Sequence, residues 1–552
     1  MRSAMNDGRS GTASRLRLYV NGSVYSAADP FATAMLVDGD TVAWIGSEQA
    51  AQSLRDDRME LVDLRGALVV PGFVDSHVHL TETGLALASL DLSSVSTSRE
   101  LLDAVSSAAA ALGPGETVFG HSWDDAQWAV PGLPTLDELD RAAGGRPVYL
   151  TRIDVHSALV NRAALALAGD LTGLRGNSGE SVLSLEAHGA VRQAVRRFGS
   201  AQREQYQKVA LDAAARQGYV ALAEMSGPTI AGMDDLRSAV AWNATPGAGP
   251  RILPYWGQAV ETVEQARALL QELDVPVLGL AGDLNIDGSL GSRTALLRAD
   301  YADAPGNSGS RYLSAEAAAE HLIACTELGL QGGFHAIGDA ALDVVVDALD
   351  RTSARLGESA VRRAGHRVEH AEMLDADHIA ALVSHSVSVS AQPAFDAAWG
   401  GPDGMYAQRL GSRWASMNPF ADLYRAGVPL AFGSDAPVTP LRPWDSIRAC
   451  LDHRSEGQGI SARAAFIGHT RAGWRAARDA NPLNGQLVPG APANYAVWEV
   501  ESLMVQVADD RVASWSTDPR ARTPLLPALD GAEPRCLQTV SEGVELYRSE
   551  EI

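Results

Sequence analysis

Eight short apolar runs, each ending in polar residues, constrain the fold of this 552-residue chain more than any other feature. Segments rich in Ala, Leu, Arg and Glu with helical periodicity lie between them, which is typical of repeated β-α units around a parallel sheet. Eight such strands close into a (β/α)8 barrel. The predicted fold is therefore α/β with a TIM-type barrel. The runs are Ala67–Ser76, Val220–Met225, Arg251–Trp256, Leu278–Asp287, Gly332–Ile337, Arg367–His370, Ser388–Gln392 and Leu430–Asp435.

The two ends of the chain predict a second, smaller domain. Short alternating runs with turn signals occur at both ends and predict strands that pair into a β-sandwich. More than 140 residues separate the first two barrel runs, too many for one helical crossover, so we expect an inserted subdomain after barrel strand 1, over the active-site mouth. The terminal runs are Leu16–Val24, Thr33–Val37, Val42–Ile45, Ala496–Val500, Leu503–Ala508, Arg511–Ser514 and Cys536–Val544. The predicted domains are 1–66 with 485–552 (sandwich), 67–84 with 205–484 (barrel) and 85–204 (insert).

Charge and composition narrow the function classes. The net charge is −23 and no run is rich in Lys or Arg, which argues against nucleic-acid or anionic membrane partners. No apolar run approaches the roughly 18 residues that cross a bilayer. Met1–Leu16 lacks the apolar segment of a secretory signal, and three scattered cysteines fit a reducing compartment. We expect a cytoplasmic protein that acts on a small molecule, with a homodimer as a candidate assembly.

Two histidines follow the first barrel run, in Val74-Asp75-Ser76-His77-Val78-His79. Side chains alternate across a strand, so His77 and His79 point the same way, about 6.6 Å apart. Two imidazoles at this spacing can converge on one metal ion. The buried run before them predicts that they lie at the exit of a barrel strand.

Further polar side chains end later barrel runs. His335, His370 and Asp435 each lie where a predicted strand gives way to a loop. Nitrogen and oxygen ligands without cysteine suit Zn²⁺ or a similar divalent ion, and an open coordination position would hold a water of lowered pKa. The predicted chemistry is hydrolysis.

Four segments, in chain order, resemble the metal-dependent amidohydrolase superfamily, and more closely the branch that includes N-substituted formamide deformylase. They are Pro71–His79, Phe334–Asp339, His366–Ala371 and Gly433–Pro437. The similarity extends from Val20-Asn21-Gly22 through Trp123-Asp124 and Asp287–Ala295 to Gly485–Gly490. It implies a barrel with a composite β-sandwich.

The resemblance also implies a ligand set. His77 and His79 would be first-strand ligands, His335 and His370 fifth- and sixth-strand ligands, and Asp435 the eighth-strand ligand and proton shuttle. Asp435 would accept the proton of the attacking water and deliver it to the leaving nitrogen. His370, or His335 if it does not bind the metal tightly, would stabilise the oxyanion.

One position departs from the family pattern. Many relatives carry a lysine four residues before the Asp-Gly pair of the fourth strand, and in part of the superfamily its carboxylated form bridges two metal ions. Here that position is Asp283, and the only lysine of the chain, Lys208, lies in a predicted helix. We therefore expect one catalytic metal. Asp283, Asp287 and Glu224 are candidates for an additional metal-binding or site carboxylate.

Substrate selection is expected from the insert and the loops. The candidate substrate-binding residues are Trp123, Asp124, Trp128, Arg152, His156 and Gln392. Together with Phe395 and Trp399, the aromatic members indicate an apolar or aryl substituent on the substrate.

Several alternatives remain open. His366-Arg367-Val368-Glu369-His370 fits the H-x-x-E-H motif of inverted zinc peptidases, which requires a helix. A heterocycle deaminase would use the same barrel, although it typically needs a glutamate near His335, where this chain has Asp339. A noncatalytic relative would lose ligands. The favoured function is hydrolysis of an amide, N-substituted formamide or carbamate C–N bond.

Overall fold

The computed structural model of the protein describes residues 16–113, 115–128, 130–504 and 524–550. It divides into two compact units, Met1–Phe73 with Asn481–Ile552, and Val74–Ala480. The units divide at Phe73 and not at the predicted residue 66. The predicted strand Arg511–Ser514 and most of Leu503–Ala508 lie outside the described residues.

The described residues form 24 strands. In chain order they are β1 (Leu16–Val20), β2 (Ser23–Val24), β3 (Ala34–Asp38), β4 (Thr41–Gly46), β5 (Glu60–Asp63), β6 (Leu68–Pro71), β7 (Phe73–Val78), β8 (Leu90–Asp91), β9 (Val118–Trp123), β10 (Val148–Arg152), β11 (Ser157–Val160), β12 (Val182–Ser184), β13 (Tyr219–Ser226), β14 (Arg251–Trp256), β15 (Gly279–Leu280), β16 (Gln331–Ala336), β17 (Arg367–His370), β18 (Ser388–Ala391), β19 (Leu430–Phe432), β20 (Tyr495–Glu499), β21 (Leu503–Met504), β22 (Leu526–Pro527), β23 (Arg535–Ser541) and β24 (Val544–Arg548).

The same described residues form 19 α-helices. They are α1 (Glu48–Leu54), α2 (Leu80–Leu87), α3 (Ser98–Ala111), α4 (Leu136–Ala143), α5 (Arg162–Ala168), α6 (Leu185–Val195), α7 (Ser200–Arg216), α8 (Met233–Ala241), α9 (Val263–Leu273), α10 (Ala315–Leu328), α11 (Asp339–Leu356), α12 (Glu358–Ala364), α13 (Ala376–His385), α14 (Pro393–Trp399), α15 (Met405–Leu410), α16 (Phe420–Ala426), α17 (Pro443–Leu451), α18 (Ala462–Gly468) and α19 (Arg471–Ala476). None of these helices is both long enough and apolar enough to span a bilayer.

The first unit joins strands from both ends of the chain. One sheet has the strand order β4-β3-β1-β5 and the other β2-β6-β20-β23-β24. Because β6 runs antiparallel to β20, N-terminal and C-terminal segments share the second sheet. Side chains from both sheets, among them Met35, Val69 and Val497, pack in one buried cluster.

The second unit contains an eight-stranded parallel sheet with the order β19-β18-β17-β16-β15-β14-β13-β7. A parallel bridge joins Val78, in β7, to Ala436, in the segment that follows β19, so the sheet is a nearly closed barrel. All eight residues of β13 are buried, as expected for a parallel strand covered on both faces. The predicted eight-stranded parallel barrel is confirmed in this form.

The first predicted run belongs to two different sheets. Within Ala67–Ser76, β6 pairs with β20 in the terminal unit, whereas β7 enters the barrel. The chain divides at Gly72, whose N–H donates to the Asn494 carbonyl oxygen. Apolar sequence indicates burial but not the partner strand, so the division could not be predicted.

The fourth predicted run is a strand over only two residues, Gly279 and Leu280. The chain turns at Gly282, whose φ is +86°, a conformation that favours glycine. The Ile286 N–H then donates to the His335 carbonyl oxygen. Asp283 therefore lies in an irregular segment at the exit of the barrel strand.

The long interval after β7 contains a separate five-stranded sheet with the order β12-β11-β10-β9-β8. Its β10 carries Arg152, and Asp154 follows two residues later. Asp154 Oδ2 accepts hydrogen bonds from Ser289 Oγ at 2.7 Å and Ser292 Oγ at 2.8 Å, in the segment that follows barrel strand β15. These bonds connect the insert to the carboxyl-terminal side of the barrel.

Candidate metal centre

His77 and His79 lie at the end of β7, with their ring centroids 5.3 Å apart. Both are buried. His77 Nδ1 lies 2.9 Å from Glu369 Oε2, and Glu369 in turn accepts hydrogen bonds from the Arg367 guanidinium. Since the carboxylate accepts from Nδ1–H, the Nε2 lone pair of His77 faces the interior of the barrel mouth.

Two carboxylates face this pair of histidines. Asp283 lies 3.1 Å from His79 Nε2 and 3.4 Å from His77 Nε2. Asp435 Oδ1 lies 3.3 Å from His79 Nε2 and 3.4 Å from His77 Nε2. Asp283, the residue at the family's lysine position, is therefore part of the cluster.

His335 and His370 complete the cluster on its other side. Their ring centroids are 4.4 Å apart, and the His370 ring lies 5.0 Å from that of His77. Gln392 Oε1 lies 2.8 Å from His370 Nδ1, so it accepts the Nδ1 proton and leaves Nε2 directed at the cluster. The structure thus brings together all five predicted ligands, although His335 lies beside His370 and outside the tightest groups of ligand atoms.

Backbone conformation helps to direct two of these side chains. His370 has φ +69° and Asp435 has φ +54°, in the left-handed region that non-glycine residues rarely adopt. Such strain concentrates at functional sites. At the end of β17 it interrupts strand alternation, so both Glu369 and His370 contribute to the centre.

The spacing of the ligand atoms fits a divalent metal ion. Ligands about 2.0–2.1 Å from a tetrahedral zinc ion are separated by about 3.4 Å. The four histidine–carboxylate distances here lie between 3.1 and 3.4 Å. Within the described part of the chain, His77 Nε2 and Asp283 Oδ1 are buried without a hydrogen-bond partner. A cation would satisfy both atoms, whose burial is otherwise costly.

The electrostatics of the cluster also favour a cation. Burial by itself would lower the pKa of His79, but the charge and hydrogen bond of Asp283, together with Asp435, raise this pKa well above its usual value. Burial would raise the pKa of Asp283, but His77 and His79 hold it well below its ordinary range. The carboxylates therefore favour positive charge here, which protons or a metal ion can supply.

The other two candidate carboxylates have structural roles. Asp287 accepts hydrogen bonds from the backbone N–H groups of Ile337 and Gly338 at 3.0 and 2.9 Å. Glu224 accepts from the Leu80 N–H at 2.7 Å, at the start of α2, and from Ser226 Oγ. Of the three candidates, only Asp283 joins the metal-ligand groups.

Lys208 lies on α7, away from the cluster. Its side chain is 44% exposed and pairs with Asp212 one turn along the helix. The predicted helical position of Lys208 is confirmed, and the lysine is not among the residues of the cluster.

The predicted substrate-binding residues separate into two groups. His156 lines both cavities at the centre, with its ring 5.5 Å from that of His335. Gln392 contacts His370. Trp123 and Trp128 instead pack in the hydrophobic core of the insert, where Trp123 Nε1 donates to the Leu150 carbonyl oxygen.

Asp124 and Arg152 form ion pairs within the insert. Arg152 is 3% exposed and pairs with Asp124, Asp125 and Asp154. Neither Asp124 nor Arg152 lines the two cavities described below. From the sequence, a Trp-Asp pair in a loop could not be distinguished from one that packs inside the insert.

A small pocket adjoins the cluster. It has a volume of about 30 Å³, enough for about two water molecules. His335, His370 and Asp435 form its wall together with Phe395, Trp399, Met405 and Tyr406. The rings of His370, Phe395, Trp399 and Tyr406 contact one another in sequence, so this wall of the pocket is largely aromatic.

A wide cleft of about 690 Å³ opens beside His79 and Asp283. Its walls come from the insert and from the loops after barrel strands. They include Arg175, Glu186, His188, Arg192, Asn285 and Tyr312. The cleft is large enough to admit a small molecule.

Comparison with known proteins agrees with this geometry. Protein LONG AFTER FAR-RED 3 of Arabidopsis thaliana is 29% identical over 520 residues, which cover 88% of this chain and 87% of the relative. N-substituted formamide deformylase of Arthrobacter pascens is 24% identical over 464 residues, which cover 78% and 82%. The predicted resemblance to this branch is confirmed.

A solved structure and a family model extend the comparison. The crystal structure of an uncharacterized metal-dependent hydrolase from Pyrococcus furiosus matches with a TM-score of 0.68 and 25% identity, covering 87% of this chain and 98% of that one. The model of the amidohydrolase family matches residues 60–547, which include every residue of the cluster. The chain therefore belongs to the amidohydrolase family.

Proposed function

We propose that this protein hydrolyses a non-peptide C–N bond of a small molecule, in an amide, an N-substituted formamide or a carbamate. One observation carries the proposal. The ligand atoms of His77, His79, Asp283, His370 and Asp435 converge at the barrel mouth, where they adjoin a small pocket and a cleft large enough for a substrate. Family membership and the metal-dependent structural neighbour support it.

We assign one zinc ion to the centre. The two tightest ligand groups are His77, His79 and Asp283, and His77, His370 and Asp435. Both contain His77, whose Nδ1 is occupied by Glu369, so only Nε2 is available to a metal. A single ion beside this nitrogen accounts for both groups, with His335 as a further ligand beside His370.

The bound ion would polarise the substrate carbonyl and lower the pKa of a water molecule towards neutrality. Asp435 would take the proton of that water as the water oxygen bonds to the carbonyl carbon. The same carboxyl then delivers the proton to the leaving nitrogen as the C–N bond breaks. Asp435 Oδ1 lies 3.3 Å from His79 Nε2 and 3.4 Å from His77 Nε2, beside the proposed metal position.

His370 and His335 line the small pocket. Of the two, His335 can donate a hydrogen bond to the developing oxyanion if it does not bind the metal, whereas the one N–H of a neutral His370 is already directed at Gln392. Gln392 holds the His370 ring in place by accepting its Nδ1 proton. The small pocket suits a formyl or other short acyl group.

The structure contradicts the inverted zinc peptidase interpretation. Residues 367–370 form strand β17, not the helix that motif requires. His366 is occupied elsewhere, since its Nδ1 accepts from the Gly332 N–H at 3.0 Å. Asp339, at the position where a deaminase needs its glutamate, accepts from the Arg298 and Ala340 N–H groups. Amide hydrolysis therefore remains the favoured chemistry, with a small molecule in the cytoplasm as the proposed substrate.

The proposal is tested with protein whose zinc content has been measured. We expect turnover of at least one member of a panel of N-benzylformamide, N-acyl amino acids and aryl carbamates. Loss of this turnover on chelation and its return with zinc would tie it to the centre. Failure of the loaded protein to hydrolyse any of these compounds would contradict the proposal.

Replacement of Asp435 by Asn tests its role in proton transfer. Because the neutral carboxamide of asparagine cannot accept the proton and return it, kcat should fall by about 10²- to 10⁴-fold. Steady-state kinetics and metal content are measured together, since Asp435 is also a proposed ligand. Asp339→Asn, a carboxylate at the exit of another barrel strand, is the matched control. Full activity of Asp435→Asn would remove Asp435 from the shuttle role.

A further inference from the structure

Four arginines line the wide cleft and the adjoining cavity of about 210 Å³, which shares Glu82 and Arg192 with it. Three of them pair with carboxylates. These pairs are Arg175 with Glu186, Arg196 with Glu82, and Arg203 with Asp235. For Arg192, none of the carboxylates that the structure describes lies within ion-pairing distance.

Arg192 is nevertheless held firmly in place. Its Nη2 donates to the Val155 carbonyl oxygen at 2.6 Å, and its Nε donates to Tyr149 Oη at 3.3 Å. Because arginine can only donate, the Tyr149 hydroxyl accepts from it and donates in turn to His188 Nε2, 2.8 Å away. These bonds use two of the five N–H donors, and three are left for the cavity.

The guanidinium lies on the same cleft as the candidate metal centre. His79, Asp283 and Arg192 all line this cavity. Burial alone would lower the pKa of Arg192, but Tyr149, Glu82 and Asp283 raise it, so Asp283 lies within electrostatic reach of the guanidinium. A substrate held at the centre can therefore extend to Arg192.

Arg192 has no ion-pair partner among the described carboxylates, which is unexpected for an arginine in so acidic a protein. The protein carries 68 acidic residues against 45 basic ones, yet this half-buried cation has no acidic partner among the described residues. A planar guanidinium matches the two oxygens of a carboxylate. Glu82 and Glu186 also line the cleft and would repel a dianion more strongly than a monoanion.

We infer that Arg192 binds a carboxylate of the substrate, so that the substrate is an amide with a small acyl group and a carboxylate on the amine portion, as in short N-acyl amino acids. This inference rests on the proposed function for the position of the scissile bond. The acyl group would occupy the small pocket beside His335 and His370, and the carboxylate-bearing portion would extend along the cleft. Arg192 would act as a substrate-binding residue and set specificity.

The test uses pairs of compounds that differ only in this charge. N-formyl derivatives of ω-amino acids of increasing length are compared with their C-terminal amides, and formate release is measured with the zinc-loaded protein. Hydrogen bonds to a charged group correspond to about a 10- to 100-fold effect. We expect at least one acid to exceed its amide by this factor in kcat/KM. Arg192→Gln should remove the preference, mainly through KM.

Two further variants serve as controls. Arg175→Gln changes a cleft arginine that already pairs with Glu186, and it should keep the preference for the acid. Arg192→Lys keeps the positive charge but not the planar fork, so it should keep part of the preference. Thermal melting of each variant shows whether the fold is intact, and Arg192→Lys keeps the test valid if Arg192→Gln does not fold.

A binding measurement separates this inference from the proposed function. Calorimetry with metal-free protein compares the same acids and amides without turnover. If an acid binds more tightly than its amide and Arg192→Gln loses this difference, the role of Arg192 is supported. That conclusion holds even if no formate is released. Absence of formate release would contradict formamide hydrolysis but not the binding role of Arg192. If no acid is preferred across the series, or if the preference persists in Arg192→Gln, the inference is wrong.

Discussion

At the scale of single residues, the geometry of the candidate metal centre depends on the side chains that orient the metal ligands as well as on the ligands themselves. Glu369 contacts no substrate cavity, yet it fixes the His77 ring through Nδ1, and Arg367 fixes Glu369. Both partners are fully buried. A buried series of hydrogen bonds of this kind determines which nitrogen of the histidine is available to a metal.

Glu369→Gln should weaken zinc binding by about 10- to 100-fold, because the neutral amide holds His77 less strongly in its required tautomer. Competition with a chromophoric chelator measures this affinity. Glu372→Gln is the matched control, since Glu372 is a buried carboxyl nearby that bonds to Tyr406 Oη at 2.5 Å. Equal zinc affinity of Glu369→Gln and wild type would show that the contact with His77 does not tune the site.

The ligands could be predicted from the sequence more readily than the residues that orient them. His77, His79, His335, His370 and Asp435 each end an apolar run, and parallel strands bring such ends together. Glu369 precedes His370 directly, and strand alternation would place the two on opposite faces. The positive φ of His370 changes this, and no sequence pattern indicates it.

At the scale of elements, three helices behind the centre share one polar network. Thr81 on α2 donates to Asp235 Oδ1 on α8 at 2.6 Å, and Gln207 on α7 donates to Thr81 Oγ1 at 3.1 Å. Helices α2 and α7 also approach closely, since a Cβ at Gly84 would lie 1.8 Å from the Tyr206 carbonyl oxygen. Rigid packing here supports the helix that follows His79.

The network predicts a pH dependence of stability. Burial, followed by the charge of Glu224, raises the pKa of Asp235 to about 7. The folded state therefore keeps a proton that the unfolded state releases near pH 4. Stability should fall as the pH rises from about 4 to 7, by at most about 1.4 kcal/mol per unit from this group. Chemical denaturation across this range should show a shallower decline in Asp235→Asn, and identical slopes would contradict the assignment.

The order of the elements could also be predicted, but not which sheet each strand joins. Eight apolar runs correspond to eight barrel strands, because burial on both faces leaves a clear signal. The run at Ala67–Ser76 serves two sheets, and strand β15 is only two residues long. Partner choice depends on distant segments such as β20, which local sequence does not report.

At the scale of the whole molecule, the metal should contribute to stability as well as to catalysis. A ligand that binds only the folded state at about 1,000 times its Kd adds about 4.1 kcal/mol. Chelation should therefore lower the melting temperature by several degrees, with recovery on adding zinc. Elemental analysis should find one zinc per chain. Two tightly bound ions per chain would contradict the single-ion assignment. A melting temperature that does not change when the metal is removed would contradict the contribution of the metal to stability.

The near-absence of lysine makes a separate prediction about metal chemistry. Since Lys208 is the only lysine and lies half-exposed on α7, no carbamate bridge can form at the centre. Lys208→Arg should keep full zinc content and activity, and added bicarbonate should change neither. Metal loss in Lys208→Arg, measured by elemental analysis, would show that this interpretation of the composition is wrong.

The position of Lys208 also makes the protein convenient to attach to other molecules. Amine-directed reagents can modify only this side chain and the α-amino group, so conjugation yields a nearly uniform product. Its side chain is 44% exposed on α7 and does not line the cleft, so it offers one accessible point for a dye or surface linker. A chain with tens of lysines would require extensive mutagenesis to reach the same single-point labelling.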